Sequence, residues 1–205
     1  PARRGGQRSS PSHNALASPE YRTSNGGIWQ PGDVIQAAIG QSDNAFTPLQ
    51  LATYCATIAN NGTRLKTHLV KQVTNYNRDQ VISETEPEVV AQVDISEENL
   101  KTVQEAMKGV TQSGGTANSV FGDYGITIAA KTGTAENPGH SDNVTFIAYA
   151  PYDDPEIAVA VVLEYGSRGT YSMNVAKDIF DAYFYGKTVD ENGNLVMPEE
   201  TNSSS

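Results

Sequence analysis

The stretch "GITIAAKTGTAE", residues 125–136, decides how this chain is read. Its first half alternates apolar residues in the manner of a β-strand, and the pattern predicts a strand over 126–132. It then runs straight into Lys131-Thr132-Gly133-Thr134. A lysine followed by a threonine invites a phosphate-loop reading, but that loop needs glycine immediately before the lysine, and Ala130 stands there. The loop should also follow a strand, whereas this lysine is predicted to close one. What remains is a strand-edge platform for an anion. Gly133 has no side chain, so a substrate backbone can approach closely. Thr132 and Thr134 offer hydroxyls to a carboxylate, and Lys131 offers a positive charge beside them. The N–H of Thr134 is placed to aim at a developing oxyanion. The same four letters also fit a strand ending in a polar turn, so their weight depends on the rest of the chain.

Around that stretch lies a chain of 205 residues with 38% hydrophobic content, enough for one domain with a real core. The net charge of -10 argues against nucleic acid as a partner. A single cysteine, Cys55, leaves no internal disulfide and no thiolate cluster, and its place in a helical pattern predicts a small buried apolar residue. His13, His68 and His140 show no ligand spacing, so neither a metal nor any other cofactor is implied. No run of 18 apolar residues and no basic-then-apolar leader occurs.

The organisation follows from periodicity and caps. Residues 1–15, with Arg3, Arg4 and Arg8 among Gly, Ser and Pro, read as a disordered or foreign segment, and residues 187–205 as a flexible tail. Trp29 with Pro31-Gly32 predicts packing plus a turn, braced by Asp33. Thr47-Pro48 opens a helix with Leu49, Ala52, Cys55 and Ile58 at one-turn spacing, and Asn61-Gly62 stops it. A polar strand pair is predicted next, "HLVKQVTN" with "QVISETEPEVVAQV", joined near Asn77. Ser96 caps a second helix whose stripe is Leu100, Val103, Met107 and Val110, and Glu97 and Glu98 suit its dipole. Strands over 144–150 and 157–164 form a hairpin through "PYDDPE". A last helix over 173–184 carries Val175, Ile179, Ala182 and Tyr183 on one side. Helices before and after an antiparallel sheet predict an α+β layer architecture.

Lys131-Thr132-Gly133-Thr134-Ala135-Glu136 resembles the K-T-G element of penicillin-binding transpeptidases and serine β-lactamases, and in its extended form the class B penicillin-binding proteins. Three further stretches agree in order and spacing. Residues 29–63, "WQPGDVIQAAIGQSDNAFTPLQLATYCATIANNGT", are similar to that family's W-x-P-G-D, I-G-Q and T-P-L-Q-L-A segment. Residues 109–117, "GVTQSGGTA", resemble the approach to the K-T-G strand, and residues 146–164 the hairpin after it, with Ala148 where glycine is usual. The resemblance spans residues 16–186 and implies the C-terminal part of a transpeptidase domain, with a partial serine β-lactamase/transpeptidase-like fold. For the intact parent it implies a serine D,D-transpeptidase with peptidoglycan stem peptides and β-lactams as ligands and cell-wall assembly proteins as further partners. It also implies a place on the outer face of the bacterial cytoplasmic membrane. Lys131 and Thr134 would be catalytic, and Thr132, Gly133 and Thr134 would bind substrate.

The family's nucleophile is the serine of S-x-x-K. The seven lysines here are preceded at three residues by Thr63, His68, Glu98, Glu105, Ile128, Asn174 and Phe184, none of them serine. Ser42-Asp43-Asn44 and Ser141-Asp142-Asn143 match the family's S-x-N element in letters, but one directly follows I-G-Q and the other follows K-T-G, both out of order. The expectation is a fragment of a transpeptidase, inactive alone. The alternative is a non-catalytic module that kept the platform and lost the nucleophile.

Overall fold

A computed structural model describes residues 15–137 and 139–197. The chain divides into two compact units, 1–50 and 51–205. Its elements are α1 (Pro19–Ser24), α2 (Pro31–Ala38), α3 (Pro48–Ala59), β1 (Thr63–Leu65), β2 (Gln72–Thr74), β3 (Val81–Glu84), β4 (Val89–Gln92), α4 (Glu97–Gly109), α5 (Asn118–Phe121), β5 (Ala129–Ala135), β6 (Asn143–Ala150), β7 (Ile157–Leu163), α6 (Gly169–Tyr185), β8 (Thr188–Val189) and β9 (Leu195–Val196).

In the first unit the local chemistry of Arg22 organises the loops. Its guanidinium donates to Asp43 and to Ser42, pairs with Asp33 at 3.5 Å, and lies over the Trp29 ring. The turn predicted at Pro31-Gly32 is instead the start of α2. Pro31 sits where a helix needs no N–H, and Asp33 reaches back to accept from the Gln30 N–H at 2.7 Å. Thr47 caps α3 as predicted. The Gln50 N–H donates to its hydroxyl, and the Gln50 side chain accepts from the Thr47 N–H.

The second unit is built on the antiparallel sheet β5-β6-β7. One face carries Ile128, Ala130, Phe146, Ala148, Val159 and Val161 and packs on α5 and α6 through Phe121, Met173, Ala176 and Phe180. The other carries Ala129 and Tyr149 and packs on α3 and α4 through Cys55, Ile58, Leu100 and Met107. The α+β class read from the sequence is thus the observed one. Ser96 caps α4 by accepting from the Asn99 N–H, and β6 and β7 form the expected hairpin.

Four local expectations change. The strand predicted over 126–132 lies at 129–135, so Lys131 is inside the strand and not at its end. Its ladder with β6 runs from Ala129 opposite Tyr149 to Ala135 opposite Asn143, three residues beyond the predicted end. The polar strand pair breaks into two ladders: β2 pairs with β3, but β4 returns to β1. Pro87 falls at the break. In α4 only Leu100 and Met107 of the predicted stripe are buried. On α6 the buried side is Met173, Ala176 and Phe180, and Val175, Ile179, Ala182 and Tyr183 face outward.

Within the stretch read as a flexible tail, β8 and β9 form a short hairpin, and residues 198–205 lie outside the described residues. The segment read as disordered or foreign lies outside them too, apart from Ala15, which bridges to Ala45. No helix among the described residues is long and apolar enough to cross a membrane.

Candidate active site

Alternation along β5 divides the tetrapeptide between the two faces of the sheet. Lys131 and Gly133 share the side of Ala129, opposite Ile147 and Thr145 on β6. Thr132 and Thr134 share the side of Ala130, opposite Phe146 and Val144. The strand is anchored by its first residues, because Ala129 and Ala130 are fully buried while Lys131 and Thr134 are exposed. β5 pairs with β6 alone, so among the described residues its other side is a sheet edge. Lys131-Thr132-Gly133-Thr134 therefore lies on an edge strand whose first two residues are buried.

The Lys131 ammonium donates to the Thr132 carbonyl at 2.6 Å, which holds the charge against the strand itself. Gly133 is required by its neighbour on β6: a Cβ there would run into the Thr145 hydroxyl oxygen. Thr132 meets Thr116, with the two hydroxyl oxygens 3.2 Å apart. The structure thus gathers Lys131, Thr132, Gly133 and Thr134 on one strand and adds Thr116 and Thr145 to them. Neither addition was singled out from sequence. Thr116 lies within the quoted "GVTQSGGTA", but no periodicity links it to a residue sixteen positions on.

The floor beneath the Lys131 face is apolar and aromatic. Cys55 is fully buried, and burial pushes its thiol up to about 12, so it is a packing residue and not a nucleophile. Tyr149 is buried beside it, and burial raises its phenol as well. Tyr152 is pushed up to about 12 by burial and by its hydrogen bond to Glu105, at 2.7 Å. Among the described residues no group of His, Cys, Asp and Glu is placed to hold a metal.

The two S-D-N matches have local partners of their own. Ser42 and Asp43 accept from Arg22, and the Asn44 amide donates to the Ala37 and Gln41 carbonyls. Asn143 accepts from the Tyr165 N–H, and the Asp142 carbonyl from the Ser167 N–H.

A family model for the penicillin binding protein transpeptidase domain matches residues 15–184. The chain belongs to that family. Its homologues are class B penicillin-binding proteins. Penicillin-binding protein 2A of Bacillus subtilis is 37% identical over 172 residues, which is 75% of this chain and 24% of that protein. Peptidoglycan D,D-transpeptidase MrdA of Haemophilus influenzae is 30% identical over 175 residues, 76% of this chain and 26% of its own length. The penicillin-binding protein A of M. tuberculosis, solved as its imipenem acyl-enzyme complex, superposes with a TM-score of 0.62 at 30% identity, covering 73% of this chain and 33% of that one. The chain spans about a quarter of the length of the curated relatives it matches. The α+β fold seen here is that of a penicillin-binding transpeptidase domain.

Proposed function

We propose that this chain carries the K-T-G platform of a serine D,D-transpeptidase that cross-links peptidoglycan stem peptides and is acylated by β-lactams. The observation that carries the reading is the position of Lys131-Thr132-Gly133-Thr134 on the edge strand β5, within a chain of this family. An edge strand can receive an extended peptide by backbone pairing. Lys131 supplies positive field and proton relay, Thr132 and Thr134 hold the ligand carboxylate, and the Thr134 N–H forms half of the oxyanion hole.

The acylated serine is not among these 205 residues in the S-x-x-K form, so the reaction takes it from transpeptidase sequence outside them. In that reaction the serine oxygen adds to the carbonyl carbon, the C–N bond breaks, and the serine proton passes to the departing nitrogen. The parent works at the outer face of the cytoplasmic membrane, as expected of a bacterial cell-wall enzyme, alongside cell-wall assembly proteins. Residues 16–186 are its transpeptidase part, flanked by segments 1–15 and 187–205 that lie outside that part.

One observation favours a second reading, a non-catalytic module: no lysine of the chain has serine three residues before it. The experiment is Lys131→Ala in the full-length protein, with acylation followed by fluorescent penicillin on a denaturing gel. The expected loss is roughly two to four orders of magnitude in the acylation rate. A wild-type rate in the variant removes the platform reading. A full-length protein that never labels supports the non-catalytic module.

A further inference from the structure

The loop between α4 and α5 is fastened to β5 at two points, and the second point is a hydroxyl of the platform. Thr111 is buried and donates to the Ile128 carbonyl at 2.7 Å, one residue before the strand begins. Thr116 meets Thr132 three residues into the strand, hydroxyl to hydroxyl at 3.2 Å. Between them the loop is closed on itself. The Gly115 N–H donates to the Gln112 carbonyl, the Ala117 N–H to the Val110 carbonyl, and the Asn118 side chain to the Thr111 carbonyl. Gly115 permits this closure, since a Cβ there would enter the Val110 and Gly109 carbonyls. Ala117, next to Thr116, is fully buried and pins the loop to the core. Thr116 is exposed, yet it stands on a backbone with little freedom to move.

We propose that Thr116 is a positioning residue of the carboxylate site, donating its hydroxyl proton to the Thr132 oxygen so that the Thr132 proton is directed outward to a bound carboxylate. This rests on the reading of Thr132 given under Proposed function. A free threonine hydroxyl rotates and spends its proton on whichever acceptor is nearest. A neighbour that occupies one lone pair of the oxygen fixes that rotation. It also polarises the outward O–H, which strengthens a bond to a charged acceptor. The recognised class is an anionic carboxylate next to the scissile amide; a neutral ester gains nothing from the arrangement.

The test compares Thr116→Val and Thr116→Ser in the full-length protein with two probes, benzylpenicillin and its methyl ester. Valine keeps the shape of threonine at an exposed position and removes the hydroxyl. Thr116→Val should slow acylation by benzylpenicillin about tenfold, the size of one charge-assisted hydrogen bond weakened, and leave the slow reaction of the methyl ester unchanged. Thr116→Ser should restore the benzylpenicillin rate. Equal slowing of both probes overturns the proposal, because it marks a loop that merely props the strand. Unchanged rates in Thr116→Val, alongside a large loss in Lys131→Ala, overturn it while the functional reading stands. Unchanged rates in both variants retire the functional reading itself.

Discussion

Replacing Asp181 with asparagine should show what the last helix depends on. Asp181 sits near the end of α6 with its side chain 3% exposed. One carboxylate oxygen accepts from Lys177 at 2.9 Å and from Lys187 at 2.8 Å, and the other accepts from the Tyr124 hydroxyl at 2.9 Å. These bonds tie α6 both to the loop before β5 and to the residue that leads into β8. Burial pushes the carboxyl up, and the bonds from Lys187, Lys177 and Tyr124 outweigh it, so its pKa lies below the ordinary value. Asparagine keeps one acceptor where aspartate has two and removes the charge. Two charge-assisted hydrogen bonds are weakened at about 1.5–3 kcal/mol each. Both ammonium groups remain partly exposed and regain water, which offsets some of that loss. The net cost is about 3 kcal/mol, the low end for breaking a buried ion pair. For a domain of this size that is a drop of roughly 6–12 °C in Tm, read by circular dichroism. Because the folded pKa is depressed, the contribution is fully present above about pH 4 and is lost as pH falls through the folded value. The gap in Tm between wild type and Asp181→Asn should therefore be constant above about pH 5 and shrink below pH 4. A variant that melts within 1–2 °C of wild type at pH 7 refutes the reasoning, as does a gap independent of pH down to the acid limit.

Cys55 should resist iodoacetamide in the folded chain and react once urea unfolds it; a thiol holding its proton to about 12 when folded and about 9 when unfolded also predicts stability falling as pH rises between those values. Rapid alkylation of the native chain contradicts that burial. Gly133→Ala should cost about 1–3 kcal/mol through the clash with the Thr145 hydroxyl, and Thr145→Ala in the same chain should recover most of it. Additive losses in urea titrations of the two single variants and the double variant exclude the contact.

What the sequence determined by itself was whatever depends on neighbours a few residues apart. The Thr47 and Ser96 caps and the β6–β7 hairpin are written in short-range chemistry, and each has its local partner in the structure. The family was legible as a resemblance of ordered motifs, and the transpeptidase-domain model matches residues 15–184. Tertiary structure decided where two local answers were equally good. α6 carries two apolar stripes, and the sheet buries the one with Met173 and Phe180 because Phe121, Phe146 and Val161 offer that stripe its partners. The end of β5 depended on how far β6 runs alongside it: Asn143 still pairs with Ala135, and so Lys131 moved from the end of a strand to its interior. The meetings of Thr116 with Thr132 and of Tyr124 with Asp181 join residues 16 and 57 positions apart. No helical or strand period links such pairs, because only the packed layers bring them within hydrogen-bond reach.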